Sequence, residues 1–261
     1  MALPALALVV IATWEMCATG RYGDDVPGDE AWRKAAAVVR AEFAPGDLLV
    51  FAPAWNDPVG RMHLGDLMSL DDAARMDAAR YPRIWQLSIR GAGAAETAGL
   101  KPVWHTDVDG IAIARFEQTP VTVVSSVVGE FAKASVSGPT QKRTSVVLTE
   151  VGFTPRRCVQ VVPQAGKSAS VRFPRLKLGQ ILVGYVGLAD IFTRRDVRDP
   201  GLLQIKIDGE PSAVIEAGVD DGWRRFTVPT VPGEHDVEFI ATAVGPKARD
   251  RHLCFAAEAR Q

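Results

Sequence analysis

A change of hydrophobic rhythm near Thr119 constrains this 261-residue chain more than any single motif in it. Upstream, apolar residues at helical spacing alternate with short apolar runs. Downstream the helical spacing is gone, and one strand-like run follows another between turn residues. A helix repeats its apolar face about every 3.6 residues and a half-buried strand about every two, so the two stretches bury different kinds of face and require two cores. The length suffices for both. The expected architecture is α+β in two domains, a small α/β unit over 21–118 and an antiparallel β-sandwich over 119–261, behind an apolar segment over 1–20.

In the first half, Asp29 is placed to cap a helix whose Trp32, Ala35, Ala36, Val39 and Phe43 recur at helical spacing, until Pro45-Gly46 stops it. Asp47 to Pro53 is a short apolar run bounded by turn residues, as in a buried parallel strand. A loop over 54–65 follows, then a helix over 69–80 with Ser69 and Asp72 in a capping pattern, then a second strand over 83–89. Helix, strand, helix, strand implies a Rossmann-like parallel sheet with right-handed crossovers. Two more short strands, 101–104 and 111–116, flank Asp109-Gly110. In the second half, strand-like runs succeed one another from 121–128 to 252–257. Asp208-Gly209 after the alternating Ile205-Lys206-Ile207 is a strong hairpin signal.

Hydrophobic residues make up 47% and charged residues 23% of the chain, with a net charge of -1. This is the composition of a globular protein without the basic footprint of a nucleic-acid binder, and no nucleic-acid partner is expected. Met1 to Trp14 is uninterruptedly apolar. It is short for a bilayer span and lacks the leading Lys or Arg of a secretory signal, so it reads as a weak signal, a signal anchor or the tail of a membrane helix, with a buried cytoplasmic helix as the alternative. Export to the periplasm or cell envelope of a bacterium is expected, with the membrane as a partner through this segment. Cys17 has no lipidation context, since Trp14, Glu15 and Met16 are bulky or charged. Cys158 and Cys254 lie near the start and end of the β-rich half. They either pair, closing a loop that stabilises by about 4–5 kcal/mol in the chain-entropy model, or remain two buried thiols.

Two stretches carry a resemblance. Trp32 to Ala37, Pro45-Gly46-Asp47-Leu48-Leu49-Val50 and Tyr81-Pro82-Arg83-Ile84-Trp85-Gln86-Leu87 resemble the soluble extracytoplasmic region after the last membrane helix of bacterial membrane glycosyltransferases of the dolichyl-phosphate-mannose mannosyltransferase (GT-C) type. That implies sugar transfer from a lipid-linked donor, with catalytic acids in a loop after the first membrane helix. Asp24, Asp25, Asp29 and Glu30 also follow an apolar segment, but a membrane core to bind the donor is lacking and catalysis is not carried over to them. Leu182-Val183-Gly184-Tyr185-Val186-Gly187-Leu188-Ala189-Asp190, Ile205 to Gly209 and Trp223-Arg224-Arg225-Phe226 resemble galactose-binding-like and related carbohydrate-binding sandwiches. This second resemblance implies a jelly-roll fold and a glycan ligand.

Candidate site residues fall in loops. Trp55, Asn56 and Asp57 open a loop, running through His63 to Asp66, at the C-terminal end of the first strand, where open α/β sheets bind ligands. Asp57, His63 and Asp66 can supply a base and its orienting acid or simply be solvated, and their spacing matches no established metal motif. Asp190, Arg194 and Arg195 belong to a charged loop suited to sugar hydroxyls, carboxylates or phosphates, or to internal salt bridges. Trp223 beside Asp221 offers a stacking surface for a sugar ring or a core side chain. Gly166-Lys167-Ser168 is not a phosphate loop, because Val161 stands where the motif needs a glycine. The four histidines show no metal spacing and there is no G-x-S-x-G elbow, so no catalytic residue, metal or cofactor is assigned. The leading expectation is a non-catalytic extracytoplasmic glycan-binding or accessory module of the cell envelope, with carbohydrate or a lipid-linked sugar as partner. The alternatives are the soluble portion of a truncated membrane glycosyltransferase and a stand-alone hydrolase built on Asp57, His63 and Asp66.

Overall fold

A computed structural model describes residues 2–24, 26–139, 141–189, 200–245 and 252–261. The chain forms two compact units, one of Met1–Ser69 with Tyr81–Pro120 and the other of Leu70–Arg80 with Val121–Gln261. The first unit begins with helix α1 (Ala2–Asp24). Leu8, Val9, Val10, Ile11, Trp14 and Met16 are exposed. Among the described residues no helix is long and apolar enough to cross a membrane.

The first unit's sheet consists of β1 (Leu48–Ala52), β2 (Arg83–Ser88), β3 (Pro102–Val108) and β4 (Ile111–Glu117), in the order β1-β2-β4-β3. Helix α2 (Asp29–Glu42) lays Trp32, Ala35, Ala36 and Val39 on Leu49, Phe51, Trp85, Leu87, Ile111 and Ile113 of that sheet. Its N-cap is Gly28 instead of the expected Asp29, which sits in the first turn where its charge suits the helix dipole and pairs with Arg33. The expected loop after β1 is in fact helix α3 (Asp57–Leu64). A Cβ on Gly60 would lie 2.1 Å from the Phe51 ring, so α3 reaches β1 only through a glycine there.

The sheet corrects the Rossmann-like expectation, because only β1 and β2 run parallel. β4 pairs antiparallel with both β2 and β3. Asp109 and Gly110, both at positive φ (51° and 87°), close a two-residue hairpin between β3 and β4, and such a turn can join only antiparallel strands. A parallel return would need a crossover helix between β2 and β3, and that connection holds only the short 3-10 turn Ala95–Thr97. Asp47, at the foot of β1, anchors the unit. Its buried carboxylate accepts bonds from Arg83 Nε (2.8 Å) and Nη2 (2.6 Å), the Trp85 indole (2.9 Å) and the Ala44 N–H (3.0 Å).

The second unit is a β-sandwich, and its strands fall where the strand-like runs of the sequence lie. They are β5 (Val123–Ser126), β6 (Ser135–Ser137), β7 (Ser145–Val151), β8 (Thr154–Val161), β9 (Ala169–Leu178), β10 (Ile181–Leu188), β11 (Gly201–Ile207), β12 (Glu210–Ala217), β13 (Arg224–Pro229), β14 (Gly233–Ala243) and β15 (Leu253–Arg260). One sheet runs β13-β10-β15-β8-β7 with β5 on β15, the other β12-β11-β14-β9-β6, and the pairings between these strands are antiparallel among the described residues. Alternate residues of both sheets meet in one core, where Phe239 of one stacks on Phe255 of the other with ring centroids 4.7 Å apart.

β15 is buried on both faces. Its inward residues Leu253, Phe255, Ala257 and Ala259 enter the core. Its outward residues are covered by the segment Leu70–Arg80. Met76 packs on Cys158, Cys254 and Ala256. Asp77 holds Arg260 through two 2.9 Å bonds, and Arg260 also binds Glu258 beside it. Asp71 pairs with Arg157 (2.7 Å), and the Arg75 carbonyl accepts from Arg156 (2.9 Å). The helix expected over 69–80 is accordingly reduced to the single turn α4 (Leu70–Ala73). Beyond it the segment's carbonyls serve Arg156 and, at Ala79, the Val121 N–H (2.9 Å) instead of an i→i−4 ladder.

Candidate functional site

An open cleft of about 360 Å³ lies at one end of the sandwich, lined by Ile207, Asp208, Ser212, Pro229, Thr230, Val231 and His235. Three local structures build it. Asp208 and Gly209, at φ 53° and 86°, make the tight β11–β12 turn that an Asp-Gly pair favours. A bulge between His235 and Val237 breaks the register of β14 against β9, beside the β11–β14 pairing that sets Asp208 next to Asp236. The β13–β14 connection is tied down at Thr230, whose N–H donates to the Gln180 carbonyl (2.9 Å) and whose hydroxyl donates to the Gly179 carbonyl (2.8 Å). Gly179 also lies against the end of β15, where a Cβ on it would be 2.2 Å from the Arg260 carbonyl oxygen.

Asp208 and His235 are the polar centre. His235 Nδ1 lies 2.7 Å from Asp208 Oδ2, while Asp208 Oδ1 accepts the Asp236 N–H at 2.9 Å. These two bonds, the histidine's first, hold the Asp208 carboxyl below the usual carboxylate range. Asp236 in turn is paired with Arg172. A carboxylate, a histidine and Ser212 around one cleft invite comparison with a hydrolytic triad, and the geometry refuses it. His235 Nε2 is 2.9 Å from the Val231 carbonyl, and the Ser212 hydroxyl donates to Glu210 O (3.2 Å). No nucleophile meets the base. The cleft presents a carboxylate with free lone pairs, two hydroxyls whose oxygens can accept, and apolar walls at Ile207, Pro229 and the 71%-exposed Val231.

The residues singled out from sequence lie elsewhere. Asp221 closes the β12–β13 turn by accepting the Gly218 N–H (2.8 Å) and facing Arg224 at 3.5 Å. Trp223 is half-buried against Cys158, Cys254 and Ala256, and its indole N–H donates to the Thr154 carbonyl (2.8 Å). The Arg156 guanidinium lies 3.9 Å from the Tyr185 ring centre and 5.7 Å from that of Trp223, so these aromatics pin the β7–β8 hairpin to the sheet. Asp190, Arg194 and Arg195 lie outside the described residues.

In the first unit Trp55 is exposed, whereas Asn56 is buried and its Nδ2 has no hydrogen-bond partner among the described residues. Asp57 pairs with Arg61 one turn on. His63 stacks on Trp32 at 6.1 Å between centroids, with Nε2 3.4 Å from Asp29. Asp66 is clasped by Arg40 through two 2.6 Å bonds. Asp57, His63 and Asp66 therefore serve three separate partners, and the structure does not bring them together as the base and orienting acid that a hydrolase built on them requires. Among the described residues no three His, Cys, Asp or Glu side chains gather as a metal site. Cys158 and Cys254 are joined in a disulfide with Cα atoms 5.6 Å apart.

Sequence reading missed the cleft because Asp208 and His235 are 27 residues apart and meet only where β14 pairs with β11. The Asp-Gly turn was visible, but nothing local pairs it with a histidine.

No known protein family and no curated protein matches the sequence. Among solved structures, the CBM51-2 and INT domains of ZmpB from Clostridium perfringens are similar, with 12% identity, a TM-score of 0.36, and coverage of 59% of this chain and 36% of that one. The tandem CBM51 modules of the family 98 glycoside hydrolase of Streptococcus pneumoniae SP3-BS71 give 10% identity and a TM-score of 0.38, covering 58% of this chain and 56% of theirs. The match thus spans less than two thirds of either protein. A family 35 carbohydrate binding module from Clostridium thermocellum gives 11% identity, a TM-score of 0.33 and coverage of 52% and 98%.

Proposed function

We propose that this chain is a non-catalytic glycan-binding accessory module, with the sandwich as its recognition half and the cleft at Asp208 as the sugar site. The cleft's mixed lining carries the reading. A pyranose presents hydroxyl donors at its edge and a C–H face, which hydrogen-bond acceptors beside an apolar wall in a space of this size can take up. Asp208, Ser212 and Thr230 supply the first, while Pro229 and Val231 supply the second. Glycan-array screening followed by calorimetry tests it. Asp208→Ala and Thr230→Val are each expected to weaken binding on the order of tenfold with the fold intact. A folded wild-type chain that binds no glycan would refute the reading.

We further propose that the module works outside the cytoplasm, anchored by α1. A disulfide persists in oxidising compartments, and the exposed apolar side chains of α1 require cover that a bilayer provides. In cells, Cys158 and Cys254 are expected to resist alkylation without prior reduction, and the chain to sediment with membranes unless Val9 and Ile11 are replaced by Glu. Ready alkylation, or sedimentation indifferent to those replacements, would count against this placement. The same helix favours a second reading, the soluble portion of a membrane glycosyltransferase using a lipid-linked donor. Membranes whose sugar transfer does not depend on this chain would remove it.

A further inference from the structure

His235, near the start of β14, bridges two walls of the cleft. Its Nδ1 lies 2.7 Å from Asp208 Oδ2 in the β11–β12 turn, and its Nε2 lies 2.9 Å from the Val231 carbonyl in the β13–β14 connection. Both neighbours are acceptors, and an imidazole donates from both nitrogens only when it carries two protons. The His235 side chain is 20% exposed, so these contacts are largely shielded from water. Gly233 leaves room for the second one, since a Cβ there would lie 3.3 Å from Nε2. The other charges on the elements around the ring are not in contact with it among the described residues. On β14, Glu234 stands opposite Lys177 and Asp236 is bound by Arg172. On β9, Leu176 stands opposite His235 with Arg175 and Lys177 to either side. The β11–β12 hairpin adds Lys206 and Glu210 around Asp208, and the connection 230–232 holds no ionisable side chain.

Resting on the glycan-binding reading above, we propose that His235 is a proton-operated clamp on the cleft: doubly protonated, it fixes the Val231 wall against Asp208 and holds the sugar site in shape, and on losing one proton it lets that wall go. A carboxylate is a stronger acceptor than a peptide carbonyl, so the neutral ring keeps its proton at Nδ1 and releases the one at Nε2 to solvent. The bare Nε2 lone pair then faces the carbonyl lone pairs of Val231 away from water, and the contact turns from attractive to repulsive. Thr230 stays bound to Gln180 and Gly179, so the movement begins at Val231, whose exposed side chain is one of the cleft's apolar walls. Asp208, held below the usual carboxylate range first by its bond to the histidine and then by the Asp236 N–H, keeps its charge throughout, which leaves His235 as the lining group that titrates between about pH 5 and 8. Sugar is therefore held under mildly acidic conditions and released as pH rises.

Two measurements on the full chain test the clamp. Nitrogen-15 NMR of the His235 ring needs no sugar and no variant: both nitrogens should be protonated at about pH 5, only Nδ1 should be at about pH 8.5, and the Val231 resonances should shift along the same curve. Calorimetry with methyl galactoside and methyl glucoside, which carry no charge of their own, should show the sugar that binds losing affinity on the order of tenfold across that range. His235→Gln, which cannot gain a proton, should bind weakly with a profile flat to within about threefold. A neutral ring already present at about pH 5, wild-type affinity that does not fall with pH, or a pH dependence retained in a folded His235→Gln would overturn the clamp while leaving glycan binding standing. Failure of both sugars to bind at about pH 5, with the ring doubly protonated, would instead bring down the glycan-binding reading and this regulation with it.

Discussion

At Asp47, burial and pairing act on the same carboxylate in opposite directions. Its 6% exposure would raise its pKa, but the Arg83 fork, the Ala44 N–H and the Trp85 indole together outweigh burial and hold it below the usual range. A carboxyl whose folded pKa is depressed stabilises the fold above its unfolded pKa of about 3.9, and that contribution disappears as pH falls through the folded value. Asp47→Asn keeps the shape and removes the charge that Arg83 binds. It is expected to lower stability at neutral pH by about 2–3 kcal/mol. Chemical denaturation of the two proteins at falling pH should show the gap closing below about pH 4, because only the wild type then loses its ionised partner. A gap that persists at low pH would mean that packing, not charge, ties Asp47 to β1 and β2.

Among the elements, what could be read from sequence and what could not divide by the range of the interaction. The strands of the sandwich announce themselves because alternation is local, and the Asp208-Gly209 and Asp109-Gly110 turns need only two residues with positive φ. The antiparallel direction of β3 and β4 is implicit in that second turn, whereas the helix–strand order speaks only to β1 and β2, which do run parallel. Leu70–Arg80 was not legible. Its helical spacing loses to partners far along the chain, above all Arg260, which is 183 residues from Asp77. The site was illegible for the same reason, since a hydrogen bond across a bulged sheet leaves no mark at either residue. The segment Leu70–Arg80, a strap over β15, carries a prediction of its own. The Arg260 side chain is 5% exposed and balances both Asp77 and Glu258. Arg260→Met should therefore cost about 3–5 kcal/mol by stranding the buried Glu258 charge. Adding Glu258→Leu should restore a substantial part of it, which thermal unfolding of the single and double variants would reveal; no recovery would place the cost in packing instead.

At the scale of the whole molecule, two cores share one chain that leaves the first unit at Ser69 and re-enters it at Tyr81. The intervening strap is covalently part of one unit's sequence and physically part of the other's sheet. Its packing against Cys158 and Cys254 makes the disulfide a probe of that division. The bridge spans 96 residues, so replacing both cysteines with Ala frees a long loop in the unfolded state and is expected to destabilise the sandwich by about 4–5 kcal/mol. Native-state hydrogen exchange would then report which amides follow which core. In the cysteine variant the amides of β8, β10 and β15 should exchange faster, and Met76 to Ala79 should accelerate with them, while Asp47→Asn should loosen β1 and β2. If the strap's amides instead track β1 and β2, Leu70–Arg80 belongs energetically to the first core, and the disulfide stabilises the sheet without holding its cover.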